Sequence, residues 1–212
     1  MKENALNKPL NFLLAGVGGQ GIILASDVLV IVGMAAGYTA KQAEIHGMSQ
    51  RGGSVTSYVR WGREVYSPLV GAGEVDILLA FEKLEALRNL NQLRAGALAL
   101  VNLREIKPMT VISGSMSYPT DEAIRAAFEQ VTPHTRFFDA ETIAMQLGDA
   151  RVENVVLLGA LSVLLEEAGM AGPMMTEDIW QRVIAERVPA KARELNLVAF
   201  DAGRQAVYSQ ER

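Results

Sequence analysis

The sequence contains no cysteine, so it offers no disulfide and no thiolate for zinc or an iron–sulfur cluster. Histidine is nearly as scarce: His46 and His134 are the only two, and neither sits at a metal-ligand spacing. Aromatic residues make up 6%, the net charge is −4, and there is no basic run. The charge and stacking surface of a nucleic-acid binder are therefore missing. No apolar run reaches the roughly 20 residues that cross a bilayer. The longest candidate, 22–36, is about 15 residues long and carries Ser26 and Asp27. The opening stretch, MKENALNKPL, lacks the apolar core of a signal peptide. Together these absences predict a cytoplasmic chain with no nucleic-acid or membrane partner.

Apolar residues, in contrast, are abundant: 50% of the 212 residues are hydrophobic and 21% are charged. The length suits a single domain spanning 1–212. A well-filled core would absorb much of the apolar excess. An obligate partner interface would absorb it too, because large exposed apolar patches usually mark one.

Short apolar runs alternate with helical patterns. Strands are expected at 11–16, 54–61, 75–80, 97–102, 109–113 and 136–139, and helices at 20–36, 81–93, 120–131, 140–147, 153–168, 176–186 and 190–209. Gly62-Arg63 reads as the turn of a hairpin that pairs 54–61 with Glu64–Ser67. No strong strand or helix period runs through 39–53. The pattern predicts an α/β fold with three layers. It has a mainly parallel open sheet, a Rossmann-like glycine turn, a β-hairpin and a helical C-terminal part.

The glycine turn is AGVGGQGI, residues 15–22, between a buried strand and an apolar helix. Gly16, Gly18 and Gly21 have G-x-G-x-x-G spacing, and Gly19 adds a fourth glycine. Such a turn bares backbone N–H groups at a helix N-terminus, a natural seat for an anion. A dinucleotide site also needs an acidic residue about 20 positions on, at the end of a second strand. The window 36–42 has none. The glycines serve equally well for close helix–sheet packing. Gln20 can meet a ligand, cap the helix or contact a partner.

A second cluster is His46-Gly-Met-Ser-Gln-Arg-Gly-Gly-Ser54. Gly52 and Gly53 free the backbone to form an anion-holding concavity. Arg51 supplies a planar fork of donors for carboxylate or phosphate. Ser49, Gln50 and Ser54 add neutral hydrogen bonds, and His46 titrates near neutral pH. The plainer alternative is a shaped loop whose Arg51 pairs with an internal carboxylate. No nucleophile–base set is evident, so the catalytic residues are unassigned, and no metal ligands are expected.

Taken together, AGVGGQGI and the later EIHGMSQRGGSVTSYVR resemble the gamma-type module of the 2-oxoacid:ferredoxin oxidoreductase family, its indolepyruvate-type small subunits above all. The likeness extends through DILLAFE (76–82), NVVLLGA (154–160) and the segment 191–203, nearly the whole chain. The resemblance implies oxidative decarboxylation of an aryl pyruvate to an aryl-acetyl-CoA, with coenzyme A as co-substrate and ferredoxin as acceptor. It also implies thiamine diphosphate, magnesium and iron–sulfur clusters, carried on a larger partner subunit, with ferredoxin met through the complex. Thiamine diphosphate enzymes carry a GDG motif, and the nearest match here, Gly148-Asp-Ala150, lacks its last glycine. The same module serves pyruvate, ketoisovalerate and 2-oxoglutarate enzymes. A free-standing nucleotide-binding oxidoreductase and a regulatory module are the other readings of the glycine turn. On the family reading, Gly16, Gly18, Gly19, Gln20, Gly21, His46, Ser49, Gln50, Arg51, Gly52 and Gly53 are the candidates for holding coenzyme A or another anion.

Overall fold

The computed structural model describes residues 8–46, 52–172 and 174–210. Strand β1 (Leu10–Val17) is buried along its entire length. That explains its apolar run from Phe12 onward, because a central strand is covered on both faces. It leads into helix α1 (Ile22–Ala35), strand β2 (Thr39–His46) and strand β3 (Ser54–Gly62). The chain continues through β4 (Val75–Ala80), α2 (Lys83–Arg88), β5 (Leu93–Asn102), α3 (Met109–Ile112), α4 (Asp121–Glu129) and β6 (Thr135–Phe138). It ends in four helices, α5 (Ala140–Gln146), α6 (Glu153–Glu167), α7 (Glu177–Arg187) and α8 (Arg193–Gln210).

The sheet has six strands in the order β2-β3-β1-β4-β5-β6. Strands β1, β4, β5 and β6 are parallel, and β3 runs antiparallel to both β1 and β2. Register matters for the site: Val17, the last residue of β1, lies opposite Ser54, the first of β3. Both glycine clusters therefore emerge at the same edge of the sheet.

Helices cover both faces, giving the three layers expected. One core packs Phe12, Leu14, Ile77, Leu79 and Leu100 under α1 and α5 to α8. A smaller one packs Leu13, Leu78, Ala99 and Val101 under α2 and α4. In the larger core α6 and α8 touch backbone to backbone. A Cβ on Gly159 would run into the Phe200 carbonyl, and one on Gly203 into that of Val156. Among the described residues no helix is long and apolar enough to cross a membrane.

Three local expectations need correction. The hairpin pairs β3 with β2, Thr39 opposite Gly62 and His46 opposite Val55. Residues 64–67 form a loop whose Ser67 and Leu69 carbonyls are held by the Arg60 guanidinium at 3.0 and 2.8 Å. β2 is an edge strand with polar residues on both faces, so it lacks the alternation that marks a half-buried strand. The stretch 109–113 is the short helix α3, started after Pro108, and not a strand. The helix expected over 81–93 is only α2 and a 3₁₀ turn at Leu90–Gln92, after which β5 begins early.

Candidate functional site at the carboxyl edge of the sheet

The glycine turn runs from the end of β1 to the start of α1. Gly21 caps the helix in the left-handed region (φ 77°), with no side-chain cap and no acid in the first turn. A side chain there would be strained and would also strike the Asn154 amide, which donates to the Gly21 carbonyl at 3.4 Å. The uncapped N–H groups of α1 give this end its partial positive charge.

The second cluster is laced to the first through the backbone. The Gly18 N–H donates to the Gly53 carbonyl at 2.9 Å, and the Gly52 N–H to the Gly18 carbonyl at 3.4 Å. Two glycine segments separated in sequence thus form one surface. Beside them is a groove of about 420 Å³, lined by Gly18, Gly19 and Gly21 with Ile22, Ile23, Val55 and Glu44. Ser49, Gln50 and Arg51 lie outside the described residues, as does the side chain of His46, the last residue of β2.

Gln20 braces the turn. Its Oε1 accepts from the Val17 N–H at 2.7 Å, and its Nε2 donates to the Phe81 carbonyl at 2.9 Å. Gly16 is required by the same packing, because a Cβ there would lie 2.8 Å from both Gln20 Oε1 and Phe81 Cβ.

Sequence reasoning passed over a set of acids at the ends of the neighbouring strands. Glu82, at the end of β4, is 1% exposed. Its carboxylate accepts from the N–H groups of Glu85 and Ile106 and from the Tyr118 hydroxyl. Burial, and then the Glu82 carboxylate, push the Tyr118 phenol well above its ordinary value. Burial opposes the charge on Lys83, yet ion pairs with Asp121 (2.6 Å) and Glu105 (3.5 Å) raise it overall. Glu85, 2% exposed, accepts from Ser54 Oγ at 2.6 Å and Arg88 Nη1 at 2.5 Å. At the end of β5, Asn102 donates to the Phe81 carbonyl (3.1 Å) and to Glu153 (2.5 Å). Burial raises Glu153, and its ion pair with Arg104 works against that. The available signal was positional: Glu82 and Asn102 lie at or just past the ends of apolar strands, and Glu85 and Glu153 lie in the first turns of α2 and α6.

The residues present do not fit a thiamine–magnesium or iron–sulfur site. The sequence has no thiolate, and no group of three His, Asp or Glu suited to a metal occurs among the described residues. Asp149 of the GDA triplet is held by Arg151 at 2.6–3.0 Å. A second cavity, about 440 Å³, lies at the opposite edge, lined by His134, Pro133 and Leu98 among others.

A mainly parallel sheet with helices on both faces and two glycine segments meeting at its carboxyl edge defines an open α/β protein of the class that binds ligands at that edge. Residues 11–206 match the pyruvate ferredoxin/flavodoxin oxidoreductase family, and the chain belongs to it. It is 42% identical over 200 residues to indolepyruvate oxidoreductase subunit IorB of Thermococcus kodakarensis and to that of Pyrococcus horikoshii, 94% of this chain and 96% of each relative. The fold matches the gamma subunit of a keto/oxoacid ferredoxin oxidoreductase from Geobacter sulfurreducens (TM-score 0.66, 23% identity, 94% of this chain and 99% of that one). It also matches a 2-oxoglutarate:ferredoxin oxidoreductase from Magnetococcus marinus (TM-score 0.71, 21% identity), spanning 96% of this chain and 32% of that longer one.

Proposed function

We propose that the chain, as a single domain over 1–212, is the small subunit of a cytoplasmic indolepyruvate-type 2-oxoacid:ferredoxin oxidoreductase. The observation that carries this reading is its 42% identity, along 94% of its length, to IorB subunits of nearly the same length. The reaction converts an aryl pyruvate and coenzyme A to an aryl-acetyl-CoA and carbon dioxide, and the electrons pass to ferredoxin. Thiamine diphosphate, magnesium and the iron–sulfur clusters belong on a larger partner subunit, as the lack of thiolates in this chain supports.

This chain's own part is to hold an anionic group, a coenzyme A phosphate or the substrate carboxylate. The N-terminus of α1 and the bare backbone of Gly18, Gly19 and Gly21 receive the charge, joined by Gly52 and Gly53. Arg51 adds a fixed cation, with His46, Ser49 and Gln50 beside it in sequence.

Co-expression with the large subunit tests the reading. The purified complex should reduce ferredoxin fastest with indolepyruvate or another aryl pyruvate. A preference for 2-oxoglutarate or pyruvate would overturn the substrate assignment. In the same complex Arg51→Ala should raise the KM for coenzyme A or the oxoacid at least about tenfold, as expected for a lost charge-assisted contact. Unchanged KM values with a weakened complex would make the glycine surface a docking joint for the large subunit.

A further inference from the structure

We infer that Glu85 is a positioning residue, which acts through Ser54 to hold Gly52 and Gly53 against the glycine turn. The inference rests on the proposed anion seat for its functional consequence but not for its geometry.

A carboxylate that is 2% exposed is costly unless its oxygens are satisfied. Glu85 resolves this with one oxygen toward Arg88 and the other toward Ser54 Oγ, the latter at 2.6 Å. Glu85 itself is anchored through its backbone. It lies in the first turn of α2, its own N–H held at 2.8 Å by the buried Glu82. Ser54 is the first residue of β3 and directly follows the double glycine. Among the described residues its neighbours Gly52 and Gly53 meet the glycine turn through backbone bonds to Gly18, one of them at 3.4 Å. Glycines bring no side chains to anchor a loop and have the most conformational freedom to lose. A short charge-assisted bond immediately beside them is therefore a strong restraint on that segment.

The experiment uses the assembled complex and the variants Ser54→Ala, Glu85→Gln and the double variant. Hydrogen exchange is followed on peptides covering 16–21 and 52–56, against β4 as reference. KM for coenzyme A, KM for the oxoacid and kcat are measured alongside. Ser54→Ala should speed exchange in both glycine peptides about fivefold and leave β4 unchanged. It should raise the coenzyme A KM by a similar factor with kcat nearly constant. Glu85→Gln keeps an acceptor for Ser54 and should fall between wild type and Ser54→Ala. The double variant should be no worse than Ser54→Ala, as for two partners in one contact. Unchanged exchange in the glycine peptides, or a uniform rise that includes β4, would overturn the positioning role. Faster exchange with unchanged KM values for both coenzyme A and the oxoacid would uphold it and overturn the anion seat instead.

Discussion

The two faces of the sheet are held by different physics. Under α1 and α5 to α8 the core is the larger and carries most of the apolar bulk, with Trp180, Phe200, Trp61 and Phe12 buried, α6 pressed against α8 through glycines, and Arg204 and Ser162 buried as a bonded pair between them. Under α2 and α4 the apolar core is smaller, and its carboxyl edge is stitched by Glu82, Glu85, Lys83 and Tyr118. Burial on the first face supplies stability without direction. Hydrogen bonds on the second supply less net energy but define where each loop sits. The adjustable parts of a site belong beside the second kind of face.

Removing bulk should expose the difference most sharply. Trp180 is 1% exposed and stacks on Phe200 at 6.1 Å between ring centroids. Trp180→Ala should cost about 3–5 kcal/mol in urea unfolding. A cost near 1 kcal/mol would mean that the helical face is loosely packed. On the other face Tyr118→Phe deletes one hydroxyl from the buried Glu82 and should cost about 1–3 kcal/mol.

The same substitution has a pH signature. The folded phenol holds its proton above the value of the unfolded one, near about 10. The native state therefore binds more protons at alkaline pH, and stability falls as pH rises past that value. Tyr118→Phe should flatten this alkaline loss, and an unaltered alkaline limb would argue against the buried pairing. The smallest expected effect is at Asp149, whose carboxyl Arg151 lowers to about 2. Its contribution is complete above the ordinary carboxyl range and disappears as pH falls toward 2. Proton titration by NMR should show the low value, and Arg151→Ala should return it to about 4.

Much of the fold was legible because the signals were local. The runs that became β1 and β4 are apolar apart from Asn11 and Asp76, as strands covered on both faces require, and Thr120 caps α4 by accepting from the Ala123 N–H as its position suggests. The glycine turn and the double glycine were also visible as candidate ligand segments. Gln20 was seen as a candidate ligand group, but its amide is taken up by Val17 and Phe81. β2 was missed because an edge strand with polar residues on both faces carries no periodicity. Glu85 was missed because an acid near a helix start looks like any solvated surface acid until Ser54 arrives from 31 residues away.

The sequence by itself determined the α/β alternation, the turn that bares a helix N-terminus, the exclusion of thiolate-held clusters and the family to which the chain belongs. These depend on residue identity and on spacings of a few positions. Only the tertiary structure decided that β3 pairs with β2 and that Gly52 and Gly53 lie against Gly18. It alone decided that Glu82 and Glu85 are buried acids and not surface charges. Strand partners and the satisfaction of buried polar groups are long-range matters. The energy of each depends on which distant segment closes over it, and no local pattern carries that information.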